Sequence, residues 1–374
     1  MILIKASRNI MSGYKIKFNG LDRIYSCYKG ELDQAARDVW RTGNVLMGRK
    51  KVDSELGMFE DLVANYVGRE HAIGVQSCTD ALYFALRSHG IGPGKTVICP
   101  ALSFLSTATA IKRTGAHMKF VDVGVDAQIS DIKGIKADAL VYVNLYGNLA
   151  DYDRLKQYCR KNKILLVEDA AQSLGAVYKK SHSGSLGDIS VLSFSPTKNL
   201  PALGSGGMIL TDDKEIEEKC LALRYHGVNG ADIDYGYNSV ISESQAAQLN
   251  VLMMDFNTLQ DRRQQVREQY SQHLKRLLNV KIIDTQSNTT GSNHKFVILC
   301  KDRDNLKEFL NKKGIETQIH YNTILPHTKY FNNKESFPNA EKISKECLSL
   351  PIYPHLRKNE IKYVCDMIGE FCGF

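Results

Sequence analysis

No stretch of this chain approaches the roughly 18 uninterrupted apolar residues of a membrane span, and the opening MILIKASRNIM is broken by Lys5 and Arg8. Neither a membrane association nor a signal peptide is expected. The nine cysteines are odd in number, scattered, and include no C-x-x-C pair. That argues against structural zinc or any other metal centre and points to a reduced, cytoplasmic protein. No G-x-G-x-x-G follows a strand-like run, which argues against a nicotinamide-dependent oxidoreductase. One apparent phosphate loop also fails, because G-x-x-x-x-G-K laid on GIGPGKT requires glycine where His89 stands. The formal charge is +8, but the lysines are dispersed, as in RKNK and NLKEFLNKK, with no basic stripe interleaved with aromatics. No nucleic-acid partner is expected; the surplus reads as a solvated surface that also attracts anionic substrates.

What is present is a regular alternation of elements. A chain of 374 residues suggests two domains. The first ten residues read as an extension. Amphipathic patterns predict helices over 30–41 and 53–67, joined by the loop RTGNVLMG. HAIGVQ, TVICP, KFVDV, ALVYVNLYG and the runs 164–167 and 189–194 then read as strands, with helices between most of them. Such alternation over 70–212 implies a parallel sheet covered on both faces, an α/β fold. A helical segment over 243–278, interrupted once, leads to a smaller α/β unit with strands at KFVILC and ETQIHY and helices over 304–314, 339–347 and 358–371. The boundary is placed at 250, giving a large domain over 1–250 and a small one over 251–374.

The stretch 164–210 organises the rest. The apolar run Ile164–Val167 ends in Glu168 and Asp169, and the run 189–194 is followed by Ser195, Pro196, Thr197 and Lys198. Strand ends of this kind deliver side chains to the crevice where open α/β sheets bind ligands, so both Glu168 and Asp169 are expected there. An acid and a lysine converging on one crevice suit pyridoxal phosphate chemistry, in which a lysine forms a Schiff base and a carboxylate pairs with the pyridinium nitrogen.

The segments VEDAAQSLGA, GSLGDISVLSFSPTKNL, GSGGMILTDD and GYNSVISESQAAQL resemble those of the DegT/DnrJ/EryC1/StrS sugar aminotransferases, fold-type-I pyridoxal-phosphate enzymes. GRKKVDSELGMFEDLVANYVG and SLPIYPHL match more weakly. The resemblance implies a large domain with a mostly parallel sheet and a smaller C-terminal α/β domain, and pyridoxal 5'-phosphate as cofactor, cycling through pyridoxamine 5'-phosphate. It implies L-glutamate as donor, released as 2-oxoglutarate, and a nucleotide-linked keto-deoxy-sugar as acceptor. It further implies a homodimer with shared sites.

By the same resemblance Lys198 is the Schiff-base lysine and proton carrier, and Asp169 the partner of the ring nitrogen. Gln172 would contact the ring oxygen, Ser193 and the turn at Cys78 and Thr79 the phosphate, and Phe104 the ring face. Asn238 would reach the cofactor phosphate of the partner subunit, while His320 and His327 would face substrate. From the residues alone other roles stay open: helix caps for Cys78, Thr79 and Asp169, turn or cap roles for Gln172, Ser193 and Asn238, core packing for Phe104, loop positions for both histidines. The RTGNVLMG loop is either near the substrate pocket or an ordinary connection. Three departures stand out, namely Val240 where relatives often carry arginine, Ser205 where they carry an acid, and Ser195 where they carry an aromatic or histidine. The alternatives are a transaminase for a cyclitol or other small ketone, a sugar dehydratase of the same fold, whose branch replaces the lysine by histidine, and a silent binding protein, which would lose Lys198 or Asp169.

Overall fold

Strand residues that point alternately to two apolar faces build the centre of this protein, for which a computed structural model describes residues 13–45, 54–228, 233 and 235–373. The sequence extension at 1–10 and the end of the RTGNVLMG loop lie outside those residues. Helices α1 (Leu21–Thr42) and α2 (Glu55–Val67) precede β1 (His71–Val75). There follow α3 (Cys78–Ser88), β2 (Thr96–Pro100), α4 (Leu105–Arg113), β3 (His117–Val121), β4 (Ala139–Val143), α5 (Tyr152–Asn162) and β5 (Leu165–Asp169). Two short strands, β6 (Val177–Tyr178) and β7 (Ser181–His182), lead to β8 (Ile189–Ser193), β9 (Gly207–Thr211) and α6 (Lys214–Arg224).

Seven of these strands form one sheet in the order β1-β9-β8-β5-β4-β2-β3. All run parallel except β9, which pairs antiparallel with both β1 and β8. The expected parallel sheet thus carries one reversed strand. The reason is local: the segment from β8 to β9 contains no helix, and a parallel neighbour would need a crossover connection.

One face of the sheet buries Ile73, Val141, Val167, Val191 and Ile209 beneath α3 and α4. The other buries Leu192, Met208 and Leu210 beneath α2 and α7 (Glu243–Met254), and Ile98, Leu140 and Leu166 beneath α5. Every residue of β4, β8 and β9 is buried, as a sheet covered on both faces demands. This period of two separates the acidic pair at the end of β5. Asp169 shares the face of Val167, whereas Glu168 points to the opposite face.

Glu168 is therefore not in the crevice, which corrects the sequence-based expectation. It is fully buried and accepts hydrogen bonds from Asn144 Nδ2 (2.9 Å), Ser183 Oγ (2.7 Å), Gly184 N (3.1 Å), Leu186 N (2.9 Å) and Ser190 Oγ (2.8 Å). It ties the loop after β7 to the sheet. Glu168→Ala leaves these donors unsatisfied and is expected to destabilise the protein by about 3–5 kcal/mol. Urea unfolding measures it, and a loss below about 1 kcal/mol would show that the network carries no weight.

α1 starts nine residues before its predicted beginning. Gly30 lies inside the helix, where it weakens the sequence signal, and the backbone departs from helical angles at Tyr28. The predicted interruption after α7 falls at Asp255, which separates it from α8 (Phe256–Leu274) and accepts a hydrogen bond from Tyr28. Beyond lie β10 (Lys281–Ile282), β11 (Thr289–Thr290), β12 (Phe296–Leu299), α9 (Arg303–Lys312), α10 (Pro338–Glu346), β13 (Cys347–Leu350) and α11 (Lys358–Cys372). Strands β10, β12 and β13 make a second, antiparallel sheet. It packs with α8, α9 and α11 around Tyr270, Phe296, Leu306, Leu348 and Val364, a core that Ile16 also joins.

Two expectations fail in this unit. ETQIHY makes only one bridge, Gln318 to Ser349, because the chain then leaves the sheet edge and turns His320 and Tyr321 toward the crevice. Residue 347 ends no helix; it begins β13. Among the described residues no helix is long and apolar enough to cross a membrane.

Candidate active site

The C-terminal ends of β4, β5 and β8, the N-termini of α3 and α4, and the first strand-edge segment of the small unit enclose a cavity of about 480 Å³. Asp169 closes β5 at its floor and is 2% exposed. Its Oδ2 accepts from Thr107 Oγ1 (2.8 Å), itself 2.9 Å from Ser103 Oγ, and its Oδ1 accepts from Ala171 N (3.2 Å). The carboxylate is thereby aimed by the first turn of α4. Burial pushes its pKa up, opposed by these hydrogen bonds and by Lys198. Lys198 projects from the turn after β8, where its N–H donates to Ser195 O (2.9 Å). Burial holds its amine below the ordinary lysine range, against the opposing influence of Cys78 and Asp169. A larger neutral fraction makes it the better nucleophile.

The opposite end is the start of α3. Ser77 caps it, accepting from Asp80 N (3.1 Å), so the N–H groups of the first turn face outward, as an anion site requires. Gly207 at the start of β9 allows the strand to press against this turn: a Cβ there would stand 2.4 Å from Cys78 N. Cys78, Thr79 and Ser193 line this end. Phe104, the residue before α4, is 52% exposed and tilts toward Tyr321 at 5.9 Å between ring centroids. It overhangs the cavity and is not a core residue. Gln172 also lines the cavity, its Oε1 accepting from Tyr146 N (2.8 Å) and its Nε2 donating to Tyr321 OH (3.3 Å).

The cavity's outer wall comes from residues that sequence reasoning passed over: Phe18, His294, Lys295, Glu316 and Tyr321, joined by the predicted His320. His320 Nδ1 lies 2.9 Å from Ser349 Oγ, its ring stacks on Phe18 at 5.7 Å, and burial with the nearby Lys295 and Lys198 pushes its pKa down to about 3. It is a neutral imidazole. Glu316 Oε2 accepts from Phe18 N (2.8 Å).

Two predicted residues lie elsewhere. His327 is exposed outside the cavity, with Nε2 2.9 Å from Glu335 O. The break after Gln318 that turns His320 inward carries the following loop past the cavity, so His327 is not among the groups brought together. Asn238 is exposed, forms a bridge with Tyr225, and does not line its own chain's cavity. Val240 packs against the core beneath α7 and supplies no cation, while Ser195 and Ser205 both line the cavity.

The donor set fits pyridoxal phosphate: a lysine of depressed basicity, a buried carboxylate braced at both oxygens, a capped helix start with hydroxyls beside it, and an aromatic over the space between. Comparison with known proteins points the same way. The transaminase for dTDP-3-amino-3,4,6-trideoxy-alpha-D-glucose of Streptomyces venezuelae is 33% identical over 369 residues, 96% of each chain. The crystal structure of S. venezuelae DesV in complex with a ketimine intermediate superposes with a TM-score of 0.91 at 32% identity, covering 96% of this chain and 99% of that one. The NtdA structure from Bacillus subtilis with bound cofactor PMP gives a TM-score of 0.87 at 26% identity, covering 96% and 86%. The sequence profile of one family matches residues 26–369, nearly the whole length that these elements span. This chain belongs to the DegT/DnrJ/EryC1/StrS aminotransferase family.

Proposed function

We propose that this protein uses pyridoxal phosphate to transfer an amino group from L-glutamate to the ketone of a nucleotide-linked deoxy-sugar. The observation that carries it is the convergence of Lys198, Asp169 and the α3 N-terminus on one cavity, in a chain 33% identical to a dTDP-sugar transaminase. Pyridoxal phosphate, when bound, supplies a conjugated ring that takes up the electrons of the C–H bond broken at the donor carbon.

Asp169 holds the ring nitrogen protonated, and the Thr107 hydroxyl and Ala171 N–H fix the carboxylate for that task. The first-turn N–H groups of α3 and the Ser193 hydroxyl take the phosphate. Lys198 Nζ takes a proton from the amine-bearing carbon of the donor and, in the second half-reaction, delivers one to the carbon that carried the sugar ketone. Phe104 and Tyr321 shield the ring from water. Loss of Lys198 would be expected of a dehydratase or a silent relative; its place in the cavity beside Asp169 favours transamination. Cofactor-loaded protein given L-glutamate alone should release one 2-oxoglutarate per chain. A panel of nucleotide ketosugars should then yield an aminated product. No 2-oxo acid would contradict the donor assignment, and amination of a cyclitol ketone with no nucleotide sugar turned over would favour the runner-up.

The working unit in this reading is a homodimer with Asn238 acting in the partner's site. Asn238 is exposed and away from its own cavity, and the neighbouring Tyr235 is 55% exposed, an aromatic of the kind interfaces favour. A two-fold interface would use the same residue twice. Mixing Lys198→Ala chains with Asn238→Ala chains gives one intact site per mixed dimer, so activity should rise above either parent toward a quarter of wild type. No rise, with mixed dimers confirmed by mass, would place Asn238 in its own chain's chemistry.

A further inference from the structure

Lys295 is a buried amine for which the cofactor chemistry has no use. It sits just before β12, 6% exposed, in the wall of the cavity that holds Lys198. Its backbone N–H is fixed to Tyr146 O (3.0 Å), and its ammonium stands 4.6 Å from the centre of the Phe18 ring. Among the described residues no carboxylate forms an ion pair with it. Glu316 lines the same cavity, but the hydrogen bond it makes is with Phe18 N. The other groups on this side, His294, His320 and Tyr321, are neutral or uncharged when buried, and Asp169 is engaged by Thr107 and Ala171. A charged amine enclosed without a counter-ion is costly, and an anionic ligand removes that cost.

We propose that Lys295 is the carboxylate-recognising residue of the substrate pocket, and that the carboxylate it takes is the amino donor's. This rests on the aminotransferase reading above. The two substrates of a transaminase occupy one pocket in turn, and they differ in charge at the reacting end. A keto-deoxy-sugar presents hydroxyls and a carbonyl there, with its phosphates beyond the anomeric carbon. An amino acid presents a carboxylate one bond from the reacting carbon, which must approach Lys198. Lys295 is close enough to Lys198 to feel its charge, and burial together with Lys198 and Arg263 holds its amine well below the ordinary lysine range. A donor carboxylate beside it favours the ammonium form, and the hydroxyls and carbonyl that the sugar presents at the same place do not.

The test compares Lys295→Met and Lys295→Arg with wild type, using glutarate binding by calorimetry and the two half-reactions by single turnover. Lys295→Met replaces a buried amine that has no ion pair among the described residues by an apolar side chain of similar length, so its melting temperature should not fall. Covalent capture of the cofactor at Lys198 should persist. Glutarate affinity should drop at least about tenfold, with a matching rise in the apparent KM for L-glutamate, the scale of a lost charge-assisted hydrogen bond. The loss should fall on KM more than on the saturated rate, and Lys295→Arg should recover most of the glutarate affinity. Wild-type glutarate binding by Lys295→Met would overturn the proposal, as would a loss confined to the sugar half-reaction, which would assign the residue to an acidic sugar. If Lys295→Met fails to fold, Lys295→Gln is measured in its place under the same criteria. Failure of the aminotransferase reading itself is distinguishable, since wild-type protein would then release no 2-oxoglutarate.

Discussion

Lys198→Ala is expected to lower amino transfer by at least about a thousandfold while leaving the fold intact. In the proposed mechanism Lys198 has two tasks that no neighbour in the cavity takes over: it attaches the cofactor, and it moves the proton at the reacting carbon. Proton transfer by a positioned group alone contributes about 10²–10⁴-fold, and loss of the attachment adds to it. The side chain leaves from a turn whose backbone bond to Ser195 O does not depend on it, so melting should shift little. Lys295 is also in the cavity, but it would have to abandon its place over Phe18 to substitute. Residual steady-state turnover above about one per cent of wild type would remove Lys198 from the centre of the mechanism.

Asp169→Asn should retain both fold and bound cofactor yet lose roughly 10²–10³-fold in rate, the effect of removing one pre-aimed charge worth about 3–4 kcal/mol at the transition state. The amide is nearly the same shape and can still accept from Thr107 Oγ1, so structural damage is small. What it cannot do is keep the ring nitrogen protonated, because it carries no charge. Burial disfavours the ionised carboxylate, and the two hydrogen bonds and Lys198 favour it. Single-turnover kinetics with glutamate measure the loss directly, and turnover within threefold of wild type would show that this charge does not drive the reaction.

The large-domain half of the site was legible in the sequence because its residues sit on consecutive elements. Asp169 ends an apolar run, Lys198 follows another, and Ser77 caps a helix directly after β1; each leaves a short-range mark of apolar run, breaker and polar terminus. Glu168 was misplaced for a reason that the same pattern contains. Adjacent residues of a strand face opposite sides, so only one of the acidic pair could enter the crevice. The outer wall left no such mark. Phe18, Lys295, and the pair Glu316 and Tyr321 come from three separate segments brought together by the packing of the small unit and by the return of Ile16 to its core. The one local clue was Lys295 itself, a charge directly preceding the fully buried strand FVIL. The reversed β9 was hidden for a similar reason: its apolar run reads alike in either direction, and only the helix-free connection that carries Lys198 distinguishes the two.

Reduction with borohydride of protein incubated with pyridoxal phosphate, followed by digestion and mass mapping, tests the central claim most directly, because it locates the covalent attachment without assuming any substrate. The account predicts one added cofactor mass per chain, on the peptide that contains SFSPTKNL and at Lys198 within it. Label on Lys295, on a surface lysine, or on no lysine at all would contradict it.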